Sequence, residues 1–260
     1  MLQGKCALIT GSTQGLGLAT AKRFAAAGCN VILNGLGDER DIAALSSAIE
    51  KEHGVRTMYS GANLAHPLEI ERMIGVGLEA FGAIDILVNN AVARYSAPVE
   101  QFPVGEWDLG VAVNVSAAFH TIRLALPAMR RRNWGRIVNV SSIYGLTATT
   151  NRIGYVTTKT ALLGITRAVA LETRDQDITC NAVCPGTVET PVHIQRIEDM
   201  MKSDALSHEE AEKRFLANKQ PGGRFIAADD VAGMILFLCG PESRDITGAA
   251  LPIDGGWSIS

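Results

Sequence analysis

The sequence GYVTTK, from Gly154 to Lys159, places a tyrosine and a lysine four residues apart. On an α-helix, residues at this spacing lie on the same face, one turn apart. A free tyrosine has a pKa near ~10, so it exchanges a proton readily at neutral pH only where a nearby positive charge favours the phenolate. Lys159 can supply that charge to Tyr155. The pair therefore predicts a proton-transfer site, if the rest of the chain supplies a reaction.

Composition restricts the class of protein. The 260 residues are 47% hydrophobic and 20% charged, with a net charge of −3, so neither nucleic acid nor an anionic membrane surface is an expected partner. The N-terminus lacks a basic region followed by a long apolar core, which favours a cytoplasmic protein that does not span a membrane. The five cysteines have no CxxC spacing and are predicted to be buried free thiols. The five histidines have no metal-binding spacing, so no metal site is predicted.

Short apolar runs bounded by turn residues alternate with longer segments of helical periodicity. The runs are KCALIT, NVILNG, VRTMYS, IDILVNN, GRIVNVSS, DITCNAV and ALPIDGG. This alternation predicts an α/β fold of Rossmann type, a doubly wound parallel sheet of seven strands with helices on both faces. No linker divides the chain, so one domain is expected over residues 1–260. The charge-rich segment 188–224 is predicted to be a helical insertion that acts as a lid.

The stretch TGSTQGLG lies between the first strand and the first helix and carries Gly11, Gly15 and Gly17. Glycine allows a tight turn and a close approach of the backbone to a ligand. The first turn of a helix presents unpaired N–H groups and the positive end of the helix dipole. Although the spacing is not GxGxxG, the position of the loop favours binding of a nucleotide pyrophosphate over a structural turn.

The end of the second strand bears on the choice of cofactor. Gly35 and Leu36 stand where a carboxylate that binds the ribose is expected. Asp38 lies about 20 residues past the loop, as such a carboxylate should, but it also has the features of a helix cap. Arg40 could instead meet a 2′-phosphate. Because the glycine loop itself contains no basic residue, we predict NAD and leave NADP open.

Six motifs occur together in the order and spacing of the short-chain dehydrogenase/reductase family, which the whole chain resembles. They are TGSTQGLG, NNA at Asn89 to Ala91, Asn114 in VAVNVS, Ser142 in NVSSIYG, YVTTK, and CPGTVETP. The resemblance implies a Rossmann fold, a nicotinamide cofactor, hydride transfer and a homotetramer. One departure is Val92, which stands where the family usually has glycine. A β-branched residue there would be strained at positive φ, so an altered loop geometry is expected.

The resemblance also implies roles for individual residues. Tyr155 would be the base in alcohol oxidation and the acid in ketone reduction, while Lys159 would also hold the nicotinamide ribose. Ser142 would hydrogen-bond the reacting oxygen. Asn114 would connect the lysine to solvent through a water, or would instead satisfy backbone groups near its helix. The residues implied to bind the cofactor are Gly11, Thr13, Gly15, Leu16, Gly17, Leu36, Asn63, Leu64, Asn90, Tyr155, Lys159, Pro185, Gly186 and Val188.

Further stretches, among them NVILNGLGDE and ITGAALPIDGGW, resemble the bacterial 3-hydroxybutyrate dehydrogenases and imply a small acidic substrate. The positions implied to hold the substrate carboxylate are Arg94, Tyr144, Arg152 and Gln195, of which Gln195 is retained from that branch, as is Trp257 near the C-terminus. Two arginines can bind a carboxylate bidentately and more strongly than the lysine of the branch, so an anionic substrate is predicted and a more highly charged acid is compatible.

Three functions stay open at this point. The first is an NAD-dependent dehydrogenase for 3-hydroxybutyrate or a related hydroxy acid. The second is a reductase for neutral ketones or carrier-bound 3-oxoacyl groups, in which Arg94 and Arg152 would be solvated loop residues. The third is a nicotinamide-binding regulator without catalysis, because a Rossmann fold does not dictate function. The complete set of asparagine, serine, tyrosine and lysine argues against the regulator.

Overall fold

The computed structural model describes residues 2–217 and 219–260, and seven parallel strands form the sheet in this part of the chain. The strands are β1 (Cys6–Ile9), β2 (Asn30–Asn34), β3 (Thr57–Ser60), β4 (Ile86–Asn89), β5 (Gly135–Val140), β6 (Ile178–Pro185) and β7 (Ala250–Ile253). Their order in the sheet is β3-β2-β1-β4-β5-β6-β7. Each predicted apolar run coincides with one strand, although β6 continues two residues beyond its run, and the predicted Rossmann-type fold is confirmed.

The α-helices of the described residues are α1 (Gly15–Ala26), α2 (Glu39–His53), α3 (Pro67–Phe81), α4 (Val104–Val111), α5 (Ala117–Arg132), α6 (Ile153–Glu172), α7 (Pro191–Asp204), α8 (His208–Leu216) and α9 (Ala228–Phe237). A π-helix at Ala112–Ser116 joins α4 to α5. Helices α7 and α8 lie between β6 and α9, within the segment predicted to be a helical insertion.

Both faces of the sheet are apolar. Successive side chains of a strand point to opposite sides, so a run of consecutive apolar residues supplies both faces. Ile9 of β1 belongs to a core cluster with Phe24 of α1 and Ile235 of α9. Leu8, its neighbour in β1, belongs to a second cluster with Ile74 of α3 and Met129 of α5. Helices therefore cover both faces, as the continuous apolar runs predict. All five cysteines are buried free thiols, as predicted.

The continuous helical segment Val104–Arg132 is long and apolar enough, by length and composition, to cross a membrane. Such a composition is also typical of a core helix in a globular domain. Here Ile122, Ala125 and Met129 are buried in the cluster that covers one face of the sheet. Its C-terminal part, α5, packs its apolar face on β4 and β5 and is a helix of the core.

The winding of the chain reverses between β1 and β4, which are neighbours in the sheet. In doubly wound sheets the loops that follow the two strands at this point diverge and leave a crevice for a ligand. The loop after β1 is the glycine-rich TGSTQGLG, and the loop after β4 begins with Asn90. The topology thus brings together two of the motifs that the sequence singles out.

Asn34, the last residue of β2, ties three loops of this edge together. It is 1% exposed. Its Nδ2 donates to the carbonyl oxygens of Ser60 and Ala62 at 3.1 and 3.0 Å. Its Oδ1 accepts from the backbone N–H of Gly11 at 3.3 Å. The glycine turn is therefore fixed relative to the end of β3.

We expect Asn34→Ala to lower the free energy of unfolding by about 2–4 kcal/mol, because it leaves buried backbone groups without partners. It should also weaken cofactor binding, since the glycine turn loses a support. Urea unfolding and a fluorescence titration with cofactor measure the two effects. Asn30→Ala, at the other end of β2, is the control, because Asn30 accepts one exposed hydrogen bond from Arg56. Equal losses in both variants would contradict the role of Asn34.

Candidate active site

The glycine turn after β1 has the shape that a pyrophosphate needs. Gly11 and Gly15 have φ of 63° and 55°, in the left-handed region. A Cβ at Gly17 would lie 2.1 Å from the carbonyl oxygen of Gly11, so a side chain there would open the turn. The N-cap residue Gln14 makes no side-chain cap bond, and the first turn of α1 contains no acidic residue. The N–H groups and the positive end of α1 therefore face a site suited to a dinucleotide.

Asn90 holds this turn from the opposite loop. Its Nδ2 donates to the carbonyl oxygens of Thr10 and Gly11 at 2.9 and 3.0 Å. The hydroxyl of Thr10 accepts from the backbone N–H groups of Asn90 and Ala91 at 2.9 and 3.0 Å. The side chain predicted to contact the cofactor thus also locks the two loops of the crevice together.

The other residues predicted to bind cofactor follow the carboxyl ends of the strands. Thr13 lies against Gly35, where a Cβ would be 2.7 Å from the Thr13 hydroxyl oxygen. Leu36 is 72% exposed beyond β2. Asn63 forms a short turn after β3, with its Oδ1 accepting from the N–H of Ala65 at 3.0 Å. The remaining members at this edge are Leu16 at the start of α1, Leu64 after β3, Pro185 at the end of β6, and Gly186 and Val188 just beyond it.

Asp38 caps α2. Its Oδ1 accepts from the backbone N–H groups of Arg40 and Asp41 at 2.8 and 3.4 Å. Of the two interpretations of Asp38, the structure therefore displays the helix cap, while Arg40 is exposed on the first turn of α2. No carboxylate is contributed by Gly35 or Leu36 at the tip of β2.

Tyr155 and Lys159 lie one turn apart at the start of α6, as their spacing predicts. The Lys159 ammonium lies 5.7 Å from the centroid of the Tyr155 ring. Its Nζ donates to the carbonyl oxygen of Val140 at 2.7 Å. The hydroxyl of Ser141 donates to the carbonyl oxygen of Lys159 at 2.7 Å, which ties α6 to the end of β5. Ser142, 6% exposed, caps a short 3₁₀ helix by accepting from the N–H of Tyr144 at 3.2 Å.

Lys159 is 2% exposed, and its burial lowers its pKa from 10.5 to about 7, with a further contribution from the charge of Arg94. A lysine with this pKa is close to half protonated at neutral pH. It can therefore change its charge in the pH range in which an alcohol or a ketone would react. Its remaining N–H donors are not used by other side chains of the described residues.

Asn114 lies in the π-helix between α4 and α5. Its Oδ1 accepts from the backbone N–H of Ala93 at 2.8 Å, and its Nδ2 donates to the Ala93 carbonyl and to the Thr158 hydroxyl, both at 3.0 Å. The side chain thus satisfies the backbone of the loop after β4, which was the alternative interpretation of this residue. Val92, in the same loop, is not among the residues with positive φ, so the expected strain at this position is avoided.

Four of the five predicted substrate residues gather around Tyr155. The Cζ of Arg94 lies 5.4 Å from the centroid of the Tyr155 ring. Tyr144 meets the Tyr155 ring edge-on at 6.4 Å and the Trp257 ring at 5.3 Å. Arg152 is the N-cap residue of α6, and its pKa is lowered by burial and by the charges of Arg196 and Arg94.

Gln195 is not part of this group. Its Nε2 donates to Asp199 at 3.0 Å, along the exposed surface of α7. The next residue of the helix, Arg196, influences Arg152 instead. Adjacent residues of a helix point about 100° apart, so a shift of one position changes which side chain faces the site. Burial lowers the pKa of Lys219, which follows α8, and the charges of Arg196 and Arg152 lower it further.

Sequence reasoning missed Arg196, Lys219, Asn34 and Thr158. For Asn34, the signal is a polar residue at the end of an apolar strand, where carboxyl-terminal side chains reach a ligand edge. For Arg196 and Lys219, the signal is weak, because charged residues in a charge-rich segment are usually solvated. Among residues 2–217 and 219–260, no three metal-ligating side chains gather at one place.

Comparisons with known proteins agree with this geometry. Residues 5–201 match the model of the short chain dehydrogenase family. The chain is 42% identical over 257 residues to a D-beta-hydroxybutyrate dehydrogenase of Cupriavidus necator, covering 99% of each chain. It is 39% identical over 254 residues to a protein of the same name from Rhizobium meliloti, covering 98% of each.

Among solved structures, L-sorbose reductase from Gluconobacter frateurii, complexed with NADPH and L-sorbose, is similar with a TM-score of 0.95 and 27% identity, over 100% of this chain and 98% of that one. The chain belongs to the short-chain dehydrogenase family. It is an oxidoreductase of a family that binds a nicotinamide cofactor, and the glycine turn and the uncapped start of α1 fit that group.

We expect Lys159→Met to raise the unfolding temperature of the cofactor-free protein at about pH 6, because it removes a charge that is costly to bury. In the unfolded chain the lysine keeps its proton up to about pH 10.5, whereas the folded protein releases it near pH 7. The wild-type protein therefore gains stability from this group as the pH rises from about 7 towards 10.5. The difference in unfolding temperature between K159M and wild type should become smaller over this range. Calorimetry across this range measures it. Lys213→Met, at an exposed position, is the control, and parallel curves for K159M and wild type would contradict the burial cost.

Proposed function

We propose that this oxidoreductase is an NAD-dependent dehydrogenase that interconverts D-3-hydroxybutyrate, or a closely related small hydroxy acid, and its ketone. The observation that carries this proposal is the position of the Arg94 guanidinium, 5.4 Å from the ring of Tyr155, itself one turn from Lys159. A cation is thereby available beside a proton-transfer pair, as a substrate with an alcohol and a carboxylate would require. The similarity over the full chain to two D-beta-hydroxybutyrate dehydrogenases supports it.

In the proposed mechanism, the phenolic oxygen of Tyr155 takes the alcohol proton during oxidation and returns it during reduction. Lys159 favours the phenolate through its charge, and the contact with Val140 fixes its ammonium. The hydroxyl of Ser142 hydrogen-bonds the reacting oxygen. Positioned proton transfer of this kind typically contributes ~10²- to 10⁴-fold to the rate. The bound nicotinamide supplies the acceptor or donor of the hydride.

Asn114 is proposed to position this machinery. Its amide joins the loop that carries Arg94 to Thr158, the residue before Lys159. The π-helix around Asn114 supports the idea, because such single-turn interruptions occur frequently at functional sites. A water relay from the lysine through this region is compatible with that placement.

Arg94 and Arg152 are proposed to bind the substrate carboxylate, with Tyr144 and Trp257 forming the wall of the pocket. The planar guanidinium suits a carboxylate because it offers paired N–H donors. Arg152 is half-buried, and the positive charge of Arg94 helps to lower its pKa. An anion that binds between the two guanidinium groups would relieve the repulsion between their charges. The ring centroids of Tyr144 and Trp257 are 5.3 Å apart, and the two rings would form an apolar wall beside the substrate.

NAD is the proposed cofactor, as the absence of a basic residue in the glycine loop favours it over NADP. Among solved neighbours, the L-sorbose reductase was crystallised with NADPH, so the preference needs to be measured. The helical segment 188–224 is proposed to be the lid of a single domain. The homotetramer, which the family resemblance implies, and the cytoplasmic location, which the sequence favours, stay predictions.

Tyr155→Phe should lower kcat at least ~10²-fold, because it removes the proton donor and acceptor while keeping the ring. The Kd for the cofactor should change by less than about threefold, since the phosphate-binding turn is untouched. Steady-state kinetics and a fluorescence titration measure the two quantities. Tyr95→Phe is the control, as Tyr95 lies at the exposed rim with its ring packed edge-on against Phe102. Unchanged turnover in Y155F would remove Tyr155 from the mechanism.

The proposed substrate is tested by comparing (R)-3-hydroxybutyrate with its methyl ester, which keeps the alcohol but lacks the charge. We expect kcat/KM for the acid to exceed that for the ester by about tenfold or more, as a charge-assisted pair would give, and NAD to be the better acceptor. Arg94→Gln should reduce this preference, whereas Arg131→Gln, at the far end of α5, should keep it. Equal oxidation of acid and ester would favour a reductase of neutral ketones.

A further inference from the structure

Two cations lie beside the ring of Tyr155, and they come from different elements. The Cζ of Arg94, in the loop after β4, lies over the ring at 5.4 Å from its centroid. The Nζ of Lys159, one turn along α6, lies at 5.7 Å from the same centroid. A cation within about 6 Å of an aromatic centroid is attracted by the π-electrons of the ring. Arg94 is therefore as near to this ring as the lysine of the motif.

The other ionisable groups packed around Tyr155 are cationic or neutral. Arg152, at the N-terminus of the same helix, is a half-buried arginine. Tyr144, after β5, meets the Tyr155 ring edge-on with the centroids 6.4 Å apart. The thiol of Cys184, at the end of β6 near the buried lysine, is neutral because burial raises its pKa to about 11.

Neighbouring acidic and basic groups do not offset the charge of Arg94. Asp254, in the C-terminal segment, bonds its own turn by accepting from the N–H groups of Gly256 and Ser258 at 3.0 and 2.8 Å. The pKa of His193 on α7 is lowered mainly by burial, so this side chain is largely uncharged at neutral pH. In the described part of the chain, Arg94 forms no ion pair with a carboxylate.

The loop that carries Arg94 is fixed on both sides of that residue. Asn114 bonds both backbone groups of Ala93, the N–H at 2.8 Å and the carbonyl oxygen at 3.0 Å. On the other side, the N–H of Ala97 donates to the carbonyl oxygen of Asn151 at 3.1 Å. The backbone around Arg94 is thus held both to the π-helix and to the loop that precedes α6.

Side chains pack the same loop against the first turn of α6. The ring of Tyr95 meets that of Phe102 edge-on, with the centroids 5.5 Å apart. A Cβ at Gly154 would lie 3.0 Å from the Phe102 ring, so the glycine that precedes Tyr155 allows this close packing. The Arg94 side chain is exposed, but the backbone from which it extends has a fixed position relative to Tyr155.

The two cations differ in their response to pH. Burial, with a smaller contribution from the charge of Arg94, lowers the pKa of Lys159 to about 7. The lysine therefore loses its charge in the cofactor-free protein as the pH rises above this value. A guanidinium, in contrast, keeps its proton in proteins. At alkaline pH, Arg94 is therefore the permanent charge over the ring of Tyr155.

We infer that Arg94 is a permanent electrostatic partner of Tyr155, and that its guanidinium stabilises the phenolate that takes the proton of the alcohol. A phenolate attracts a cation over its ring more strongly than the neutral phenol does, so the contact favours the ionised form. Arg94 acts through Tyr155 in this role, which is separate from its proposed contact with the substrate carboxylate. The inference rests on the proposed function, because it takes Tyr155 as the group that exchanges the proton.

The role of Arg94 changes no bond of the reaction. In oxidation, the alcohol proton goes to the phenolate oxygen of Tyr155, and the carbon that bears the alcohol loses a hydride to the oxidised nicotinamide. The products are the ketone, reduced nicotinamide and a neutral tyrosine. The tyrosine must then release its proton to solvent before the next turnover, and the charge of Arg94 favours that release.

The first test titrates Tyr155 in the full-length protein without substrate. The ultraviolet absorbance of tyrosinate is followed with pH, and each protein is compared with its Tyr155→Phe counterpart so that the other tyrosines cancel. We expect Arg94→Gln to raise the midpoint of the Tyr155 titration by about 0.5–1 pH unit, because an opposite charge favours the ionised form, although solvent screens an exposed guanidinium. Circular dichroism at each pH verifies that the protein stays folded.

Two further variants separate charge from structure. Arg94→Lys keeps a cation in the same loop and should recover at least about half of the shift, with a loss that reflects the different shape of the ammonium. Arg131→Gln removes an exposed arginine from the far end of α5 and should leave the midpoint at its wild-type value. An unchanged midpoint in R94Q, or an equal shift in R131Q, would overturn the inference.

The pH profile of the reaction provides a second measurement, with NAD and the methyl ester of (R)-3-hydroxybutyrate. The ester has no carboxylate for Arg94 to bind, so only the effect on Tyr155 remains. R94Q should lower kcat/KM for the ester ~3- to 10-fold below the midpoint of the profile, as a shift of about 0.5–1 unit gives, and should match the wild type at high pH. A loss of the same size at every pH would indicate a packing contact and contradict the electrostatic role.

The tyrosinate titration needs no substrate, so it separates this inference from the proposed function. If (R)-3-hydroxybutyrate is oxidised and Tyr155 titrates in R94Q as it does in the wild type, the inference is overturned while the proposed function stands. If neither the acid nor the ester is oxidised but R94Q still raises the midpoint, the proposed function fails and the pairing of Arg94 with the phenolate stands.

Discussion

The burial of the Lys159 ammonium is the constraint on which the site depends. A charged group that is 2% exposed is costly unless it has hydrogen-bond partners and a use for its charge. The carbonyl of Val140 at the end of β5 accepts one of its protons, and Ser141 holds the backbone of the same residue. The lysine can therefore stand one turn from Tyr155 only because α6 packs against the carboxyl end of β5.

The loops of the crevice are held by asparagine side chains, each of which satisfies backbone groups from another loop. Asn90 bonds the turn after β1, Asn34 bonds both that turn and the loop after β3, and Asn114 bonds the loop after β4. An amide offers both donors and acceptors, so a single side chain can satisfy a carbonyl and an N–H at once. A fixed geometry at this edge follows, and catalytic groups on such loops need little reorganisation.

The arginine beside Tyr155 contrasts with this satisfied network. Hydrogen bonds fix the loops of the cofactor edge, whereas Arg94, whose Cζ lies 5.4 Å from the centroid of the Tyr155 ring, forms no ion pair with a carboxylate of the described residues. Arg152 and Lys219 are half-buried, which strengthens their repulsion, while Arg94 and Arg196 reach solvent. Repulsion of this kind favours an anionic ligand because binding relieves it. The Lys219 ammonium lies over the ring of Phe215, which contacts the ring of His193.

Local patterns in the sequence determined the seven strands, the glycine turn and the pairing of Tyr155 with Lys159, because each depends on a period or a spacing of only a few residues. The resemblance of the sequence to a known family branch also predicted Arg94 and Arg152 as ligands of the substrate carboxylate. The tertiary structure decided the partners of the residues of α7, where Gln195 bonds Asp199 and the charge of Arg196 lowers the pKa of Arg152. It likewise assigned Asn114 to Ala93 and Thr158, residues 21 and 44 positions away. Such partners depend on how separate elements pack, and packing is a property of the whole chain that no short stretch carries.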